Sequence, residues 1–87
     1  MFTLYILYSH SFAKTYVGQT ANIDKRFEEH NFTATKGYTI AYRPWVLIFT
    51  EIFDTRANAM AKEKYYKTGK GRIVVSKILK DYLQNIK

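Results

Sequence analysis

The stretch that decides the fold runs Tyr16-Val17-Gly18-Gln19-Thr20-Ala21-Asn22-Ile23-Asp24-Lys25-Arg26-Phe27-Glu28-Glu29-His30-Asn31. It opens like the end of a β-strand, turns at Gly18 and becomes a short helix, expected from about Asn22 to His30. Asn22 or Thr20 caps the helix start, because a short side-chain oxygen accepts from a backbone N–H that has no partner within the first turn. Asp24 suits the positive end of the helix dipole. Ile23 and Phe27, four apart, mark the buried stripe. Arg26 and His30 are also four apart and share one side of the helix, bordering that stripe. A guanidinium and an imidazole therefore project together, close to the strand end that carries Tyr16.

Upstream, Phe2 to Tyr8 alternates and is rich in β-formers, which predicts a strand with Phe2, Leu4, Ile6 and Tyr8 on one face and Thr3, Tyr5 and Leu7 on the other. The loop from Ser9 to Lys14 is short enough for an antiparallel hairpin with a strand over Thr15 to Gly18. Tyr5 and Tyr16 then share a sheet face if the register allows. Downstream, Phe32 to Arg43 reads as a connection. Trp45 to Phe53 is apolar on both faces for most of its length, the pattern of a central strand covered on both sides. Thr55 caps a second helix, Arg56 to about Thr68, with Ala57, Met60, Ala61 and Tyr65 as its buried stripe and Glu63 off it. Gly69 and Gly71 bracket Lys70 and end that helix. A third helix runs from about Ile73 to Asn85 and buries Val75, Ile78, Leu79, Tyr82 and Ile86. The order is β-β-α-β-α-α. A three-stranded sheet with helices packed against it, α/β in content and of the α+β type, is the simplest architecture.

The 87 residues suggest one small domain, residues 1–87, with a thin core. Nearly half the residues are apolar and 17% are aromatic, which argues for a folded chain. There is no cysteine, so disulfides and thiolate metal sites are excluded. No apolar run approaches the length needed to cross a bilayer, and the N-terminus lacks the basic region of a signal peptide. A cytoplasmic protein without a membrane partner is expected. Charge is unevenly placed: residues 1–55 balance five Lys/Arg against five Asp/Glu, whereas residues 56–87 hold nine against two, the whole net charge of +7. Such a basic surface suits a polyanion, although a solvated helix face is the plainer explanation of a charge run alone.

Few polar groups stand out on physical grounds. Arg26 is a fixed positive fork suited to a phosphate oxygen, or else a surface arginine pairing with Glu29. His30 is a proton carrier or a helix-end residue facing the dipole. Tyr5 and Tyr16 relay a proton or orient water, or simply pack. Glu63 ligates a hard divalent cation, or pairs with Lys67 one helical turn away. No P-loop, GxGxxG, nucleophile elbow or His/Cys cluster is present.

These residues, in order, resemble the signature of the GIY-YIG endonuclease superfamily. Thr3-Leu4-Tyr5 stands where its first triplet belongs, and Tyr16-Val17-Gly18 is a good second triplet ten residues on. Arg26 matches the family's helix arginine, His30 a position held by histidine or tyrosine, and Ala59-Met60-Ala61-Lys62-Glu63-Lys64 ends in the family's carboxylate. Asn31 and Gly37-Tyr38-Thr39 resemble the small single-domain members. The likeness extends to the nuclease module of the bacterial excision-repair enzyme. Thr3 stands in place of glycine, Gln19 in place of that module's lysine, and a late asparagine of some members has no counterpart.

The resemblance implies a three-stranded antiparallel sheet flanked by helices, and hydrolysis of phosphodiester bonds with one divalent cation, Mg²⁺ or Mn²⁺, on Glu63. It implies Arg26 as the stabiliser of phosphoryl charge, Tyr5 or Tyr16 as general base with phenolate favoured by a nearby cation, and His30 as the alternative base or a partner to the tyrosine. Gly18 would permit close backbone approach to the substrate. Lys64, Lys67, Lys70 and Arg72 would contact backbone phosphates of duplex or branched DNA, with Gly69 and Gly71 leaving the backbone accessible. No recognition helix is evident, so low sequence specificity is expected, with a role in repair or recombination and targeting left to substrate shape or a partner protein. The competing readings are a non-catalytic nucleic-acid-binding module on the same fold, and an interaction domain whose aromatics form an oligomer surface.

Overall fold

Burial is deepest along the first strand. The computed structural model describes residues 1–35 and 37–86, and in it strand β1 (Phe2–Ser9) is buried at every position from Thr3 to Ser9. The cause is its place in the sheet. β2 (Lys14–Thr20) and β3 (Val46–Phe53) both pair with β1, antiparallel, in the order β2-β1-β3. The strand expected at the centre, Trp45 to Phe53, is instead an edge strand with Leu47 and Ile52 exposed. An apolar run cannot tell central from edge position, because cover comes from the elements above and below and not from the strand itself.

Those elements lie on both faces. On one, Leu4 and Ile6 pack with Val17, Tyr66 and Val75, which places α2 (Arg56–Tyr66) and α3 (Gly69–Asn85) there. On the other, Tyr5, Leu7 and Trp45 pack with Tyr16, Ile23, Phe27 and Tyr42, which places α1 (Ile23–Glu28) there. Asn22 caps α1 by accepting from the Lys25 N–H at 3.1 Å, while the Thr20 hydroxyl accepts from the Asn22 N–H at 3.1 Å. The helix is shorter than expected, and Glu29–Thr33 continues it as a wider π-helical turn. The connection expected over Phe32 to Arg43 contains a 3₁₀ turn, Tyr38–Tyr42. No helix among the described residues is long and apolar enough to cross a membrane.

Two helix expectations are corrected. In α2 the buried residues are Ala59 and Tyr66, whereas Ala57, Met60, Ala61 and Tyr65 are exposed. The inward stripe is Ala59, Glu63 and Tyr66, spaced four and three, and its middle residue is a carboxylate. In α3, Val75 is buried and Ile78, Leu79 and Tyr82 are half-buried, but Ile86 is half-exposed at the end. Gly69 and Gly71 do not end a helix, for they form the first turn of α3. Thr68 caps that turn, accepting from the Gly71 N–H at 3.1 Å. Gly71 is buried, and a Cβ there would overlap the Tyr65 carbonyl, whereas one at Gly69 would meet nothing. The absent side chain lets α3 start directly against the end of α2.

Gly71→Ala should therefore lose about 1–3 kcal/mol of stability, the usual cost of overpacking. Gly69→Ala, in open space, should leave stability unchanged or slightly raised, since alanine is the better helix former. Thermal unfolding of both variants beside the parent chain checks this, at about 4–8 °C per kcal/mol for a chain of this size.

Candidate active site

The site is built around the Tyr5 side chain. Tyr5 sits opposite Gly18 in the β1–β2 register, and Leu7 sits opposite Tyr16, so both tyrosines lie on the α1 face. Their ring centroids are 6.4 Å apart. Gly18 is a strand residue and not the turn expected of it. A Cβ there would stand 2.5 Å from the Tyr5 hydroxyl oxygen and 2.7 Å from Cζ. Any side chain at this position would push the Tyr5 ring out of place.

Arg26 and His30 reach the same phenol from α1 and the turn that follows it. His30 is buried, with Nε2 2.8 Å from the Tyr5 hydroxyl and Nδ1 2.9 Å from the Thr39 hydroxyl. A neutral imidazole offers one donor and one acceptor, and two hydroxyls, each able to give or take, satisfy it in either tautomer. Burial holds the His30 pKa down to about 4, helped by the charges of Arg26 and Arg43 against the opposing Glu29. Burial likewise pushes the Tyr5 hydroxyl up to about 12, with Tyr16 and Glu63 adding to the rise and Arg26 working against it. The expectation that a nearby cation would favour Tyr5 phenolate is thus reversed, because desolvation outweighs the arginine. At neutral pH Tyr5 is a neutral phenol and His30 a neutral imidazole.

The plainer pairings foreseen for the two charged residues are both present. Arg26 Nη1 donates to Glu29 at 3.1 Å and Lys67 Nζ to Glu63 at 2.9 Å. Neither pair is sealed from solvent, and exposed pairs contribute about 0–1 kcal/mol. Both charges still act on the Tyr5 hydroxyl, Arg26 drawing its pKa down and Glu63 raising it.

A second tier of residues holds His30. Arg43 donates to the carbonyls of His30, Glu29 and Ala34 at 2.6, 2.9 and 2.8 Å, holding the end of the π turn in place. Asn31 clamps Trp45, accepting from its N–H at 2.6 Å and donating to its C=O at 3.0 Å. The Trp45 indole donates to the Thr39 carbonyl at 2.8 Å, which fixes the residue that binds Nδ1. Thr39 and Arg43 carry no spacing signal that would have marked them in the sequence. Their roles arise from a chain reversal that periodicity does not see.

A cavity of about 530 Å³ opens beside Tyr16, between β2 and the α2–α3 corner, with Tyr38, Lys67, Arg72 and Ser76 in its walls. Lys67 and Arg72 thus share a wall with Tyr16, whereas Tyr5, Arg26, His30 and Glu63 do not line this cavity. Lys64 and Lys70 are exposed and do not line the cavity. Gly71, expected to leave backbone accessible, is buried.

Among the described residues no three His, Asp or Glu side chains converge as a metal cage. Glu63 alone fits a hard divalent ion. Ions of the Mg²⁺ type take one or two carboxylates and complete their shell with water and phosphate oxygens, so a lone carboxylate suits an ion shared with a phosphate-bearing substrate.

Comparison with known proteins agrees with this geometry. Residues 1–77 match the GIY-YIG catalytic domain. The chain belongs to the GIY-YIG family. Its relatives include the UPF0213 protein YazA of Bacillus subtilis, 42% identical over 52 residues, 60% of this chain and 52% of that protein. A UPF0213 protein of Staphylococcus haemolyticus is 38% identical over 53 residues, 61% of this chain and 65% of that one. One from Clostridium perfringens is 31% identical over 70 residues, 76% and 75% of the two chains. The chain thus spans between half and two thirds of the length of the first two relatives. The GIY-YIG domain is a nuclease fold.

The buried His30 makes stability depend on pH. Its folded pKa lies below the unfolded value near 6.5, so the unfolded chain binds the extra proton first as pH falls. Stability from this residue is complete above pH 6.5 and is lost as pH falls toward 4. Denaturant melts at pH 7.5 and 4.5 should show that loss in the parent chain and a smaller one in His30→Gln.

Proposed function

We propose that this chain is a metal-dependent DNA endonuclease of low sequence specificity, hydrolysing phosphodiester bonds in branched, flapped or nicked DNA of repair or recombination. The observation that carries the reading is the convergence on the Tyr5 phenol of Tyr16, Gly18 and His30, with the charges of Arg26 and Glu63 close enough to act on it. A packing core has no need of that set together.

The residues divide the work. DNA phosphates repel hydroxide, so the site must supply positive charge. The half-exposed Arg26 guanidinium meets the phosphoryl oxygens and stabilises the charge that develops there. Tyr16, which lines the open cavity, is the general base and takes the proton of the attacking water. Tyr5 and His30, buried and neutral, position Tyr16 and Arg26 rather than carry a proton themselves. Glu63 would hold the divalent ion, which when bound would supply Lewis-acid polarisation of the phosphate. Lys67 gives up its weak pair with Glu63 in favour of a phosphate at small cost. Lys64, Lys67, Lys70 and Arg72 supply sequence-independent affinity for the backbone.

The second reading, a non-catalytic nucleic-acid-binding module, draws on one fact: Arg26, His30 and Glu63 each have a partner inside the fold. A cleavage assay on plasmid and branched DNA with Mg²⁺ or Mn²⁺ separates the two. Metal-dependent cutting should fall by about 10²-fold or more in Arg26→Ala, the usual cost of losing a charge-stabilising donor. Glu63→Ala should be inactive. Salt-sensitive binding with no cutting by the parent chain would favour the binding module instead.

The basic surface has its own test. Neutralising Lys67, Lys70 and Arg72 should flatten the plot of log affinity against log salt by about 0.9 for each duplex phosphate that these side chains no longer neutralise. Unchanged binding at low salt would reject these residues as phosphate contacts.

A further inference from the structure

The cluster around Tyr5 does not account for a row of aromatic side chains that leads away from it. Tyr16 is stacked with Tyr38, centroids 6.3 Å apart and planes at 23°. Tyr38 touches Tyr42 at 4.8 Å, and Tyr42 meets Phe12 edge-on at 5.3 Å. The row starts at the site, since Tyr16 also lies 5.1 Å from the His30 ring. It ends in solvent, with Phe12 50% and Tyr38 53% exposed. The two exposed rings flank the half-buried Tyr42, and a run of exposed aromatic surface of this kind marks an interaction site.

Cations interleave with the rings. Lys14 Nζ stands 5.1 Å from the centre of Tyr42. Lys67 and Arg72 form part of the cavity wall that Tyr16 and Tyr38 also line. Rings that offer π-faces, set among groups that attract phosphates, are what an unpaired strand requires. A duplex buries its base faces in its own stack and presents only phosphates and groove edges, so it has nothing to lay on Tyr38 or Phe12.

We propose that the row Phe12–Tyr42–Tyr38–Tyr16 is a stacking platform for unpaired DNA and that it leads a single strand to the site. Bases stack on the exposed rings of Tyr38 and Phe12, and Lys14, Lys67 and Arg72 take the phosphates between them. The placement of this strand beside a scissile phosphate rests on the nuclease reading, but its binding does not. The platform names the substrate class within that reading: DNA with a single-stranded segment, such as a flap or a gap.

Binding is measured by fluorescence anisotropy in EDTA, where no cleavage occurs, so the result stands whether or not the chain cuts. The probes are an oligothymidylate of roughly 16 nucleotides, the upper end of common single-strand site sizes, and a mixed-sequence duplex of equal length. The parent chain should bind the single strand at least as tightly as the duplex. Tyr38→Ala should weaken the single strand by about tenfold, the effect of losing one stacked base, and leave the duplex within about twofold. Phe12→Ala should act in the same direction, and Tyr38→Phe should bind as the parent does. Preference for duplex by the parent chain would overturn the proposal. So would an equal loss on both probes, or no loss on either, in Tyr38→Ala and Phe12→Ala. Matched thermal melts identify any variant that has lost its fold, and the other variant then decides.

Discussion

Burying a phenol in the middle strand of a three-stranded sheet is the constraint on which the rest of the site depends. The Tyr5 hydroxyl is removed from water, and a buried hydroxyl without a partner costs about 1–3 kcal/mol. The fold answers by bringing His30 and Arg26 to it from the segment after β2. It also leaves position 18 without a side chain, since any Cβ there would meet the ring. Once Tyr5 is fixed, the direction of α1 and the position of the π turn follow. His30 can then be held only if Thr39 receives its other nitrogen, which Trp45, Asn31 and Arg43 arrange. The polar residues near the centre of the molecule thus form one connected set. Such sets are stable when every member is satisfied and costly when one is removed.

The same burial decides which groups remain available for chemistry. Desolvation takes Tyr5 and His30 away from neutral-pH proton transfer, in opposite directions on the pH scale but with the same result. Arg26, Tyr16 and Glu63 keep partial access to solvent. Tyr5 and His30 thus form a neutral, buried pair, and the other three groups are half-buried. Rigid support under a reacting group is what holds it in productive geometry. Beside this pair, the corner where α2 meets α3 sets Lys67 and Arg72 at the cavity, and Gly71 lets the two helices meet closely across only Lys67 and Thr68.

Much of the site was legible before any coordinates. Tyr5, Tyr16, Arg26, His30 and Glu63 could be named from spacing and from the resemblance to GIY-YIG nucleases, and in the structure the rings of Tyr5, Tyr16 and His30 lie side by side. Local rules also served well at Asn22, whose capping bond forms as short-range geometry dictates. Three readings went astray for related reasons. The apolar run Trp45–Phe53 was placed at the sheet centre, Gly18 was given a turn, and the α2 stripe was drawn through Met60 and Tyr65. In each case residue type was taken as a report of position. In α2 the error concealed the point of interest: the inward stripe carries Glu63 between Ala59 and Tyr66, and a scale that prizes apolar residues rotates the helix away from its own functional face.

By itself, the sequence determined the order of elements, the two faces of β1, the caps of α1 and α2 and the concentration of positive charge after residue 55. These are properties of neighbours along the chain, fixed by backbone geometry, side-chain spacing and charge. Only the tertiary structure decided that β1 and not β3 is central, that Gly18 makes room for Tyr5, that Tyr5 and His30 are neutral, and that Thr39 and Arg43 support them. These depend on which segments cover which, and on how far each group is taken out of water. Desolvation and steric fit are set by atoms distant in sequence, so no local pattern of residues records them.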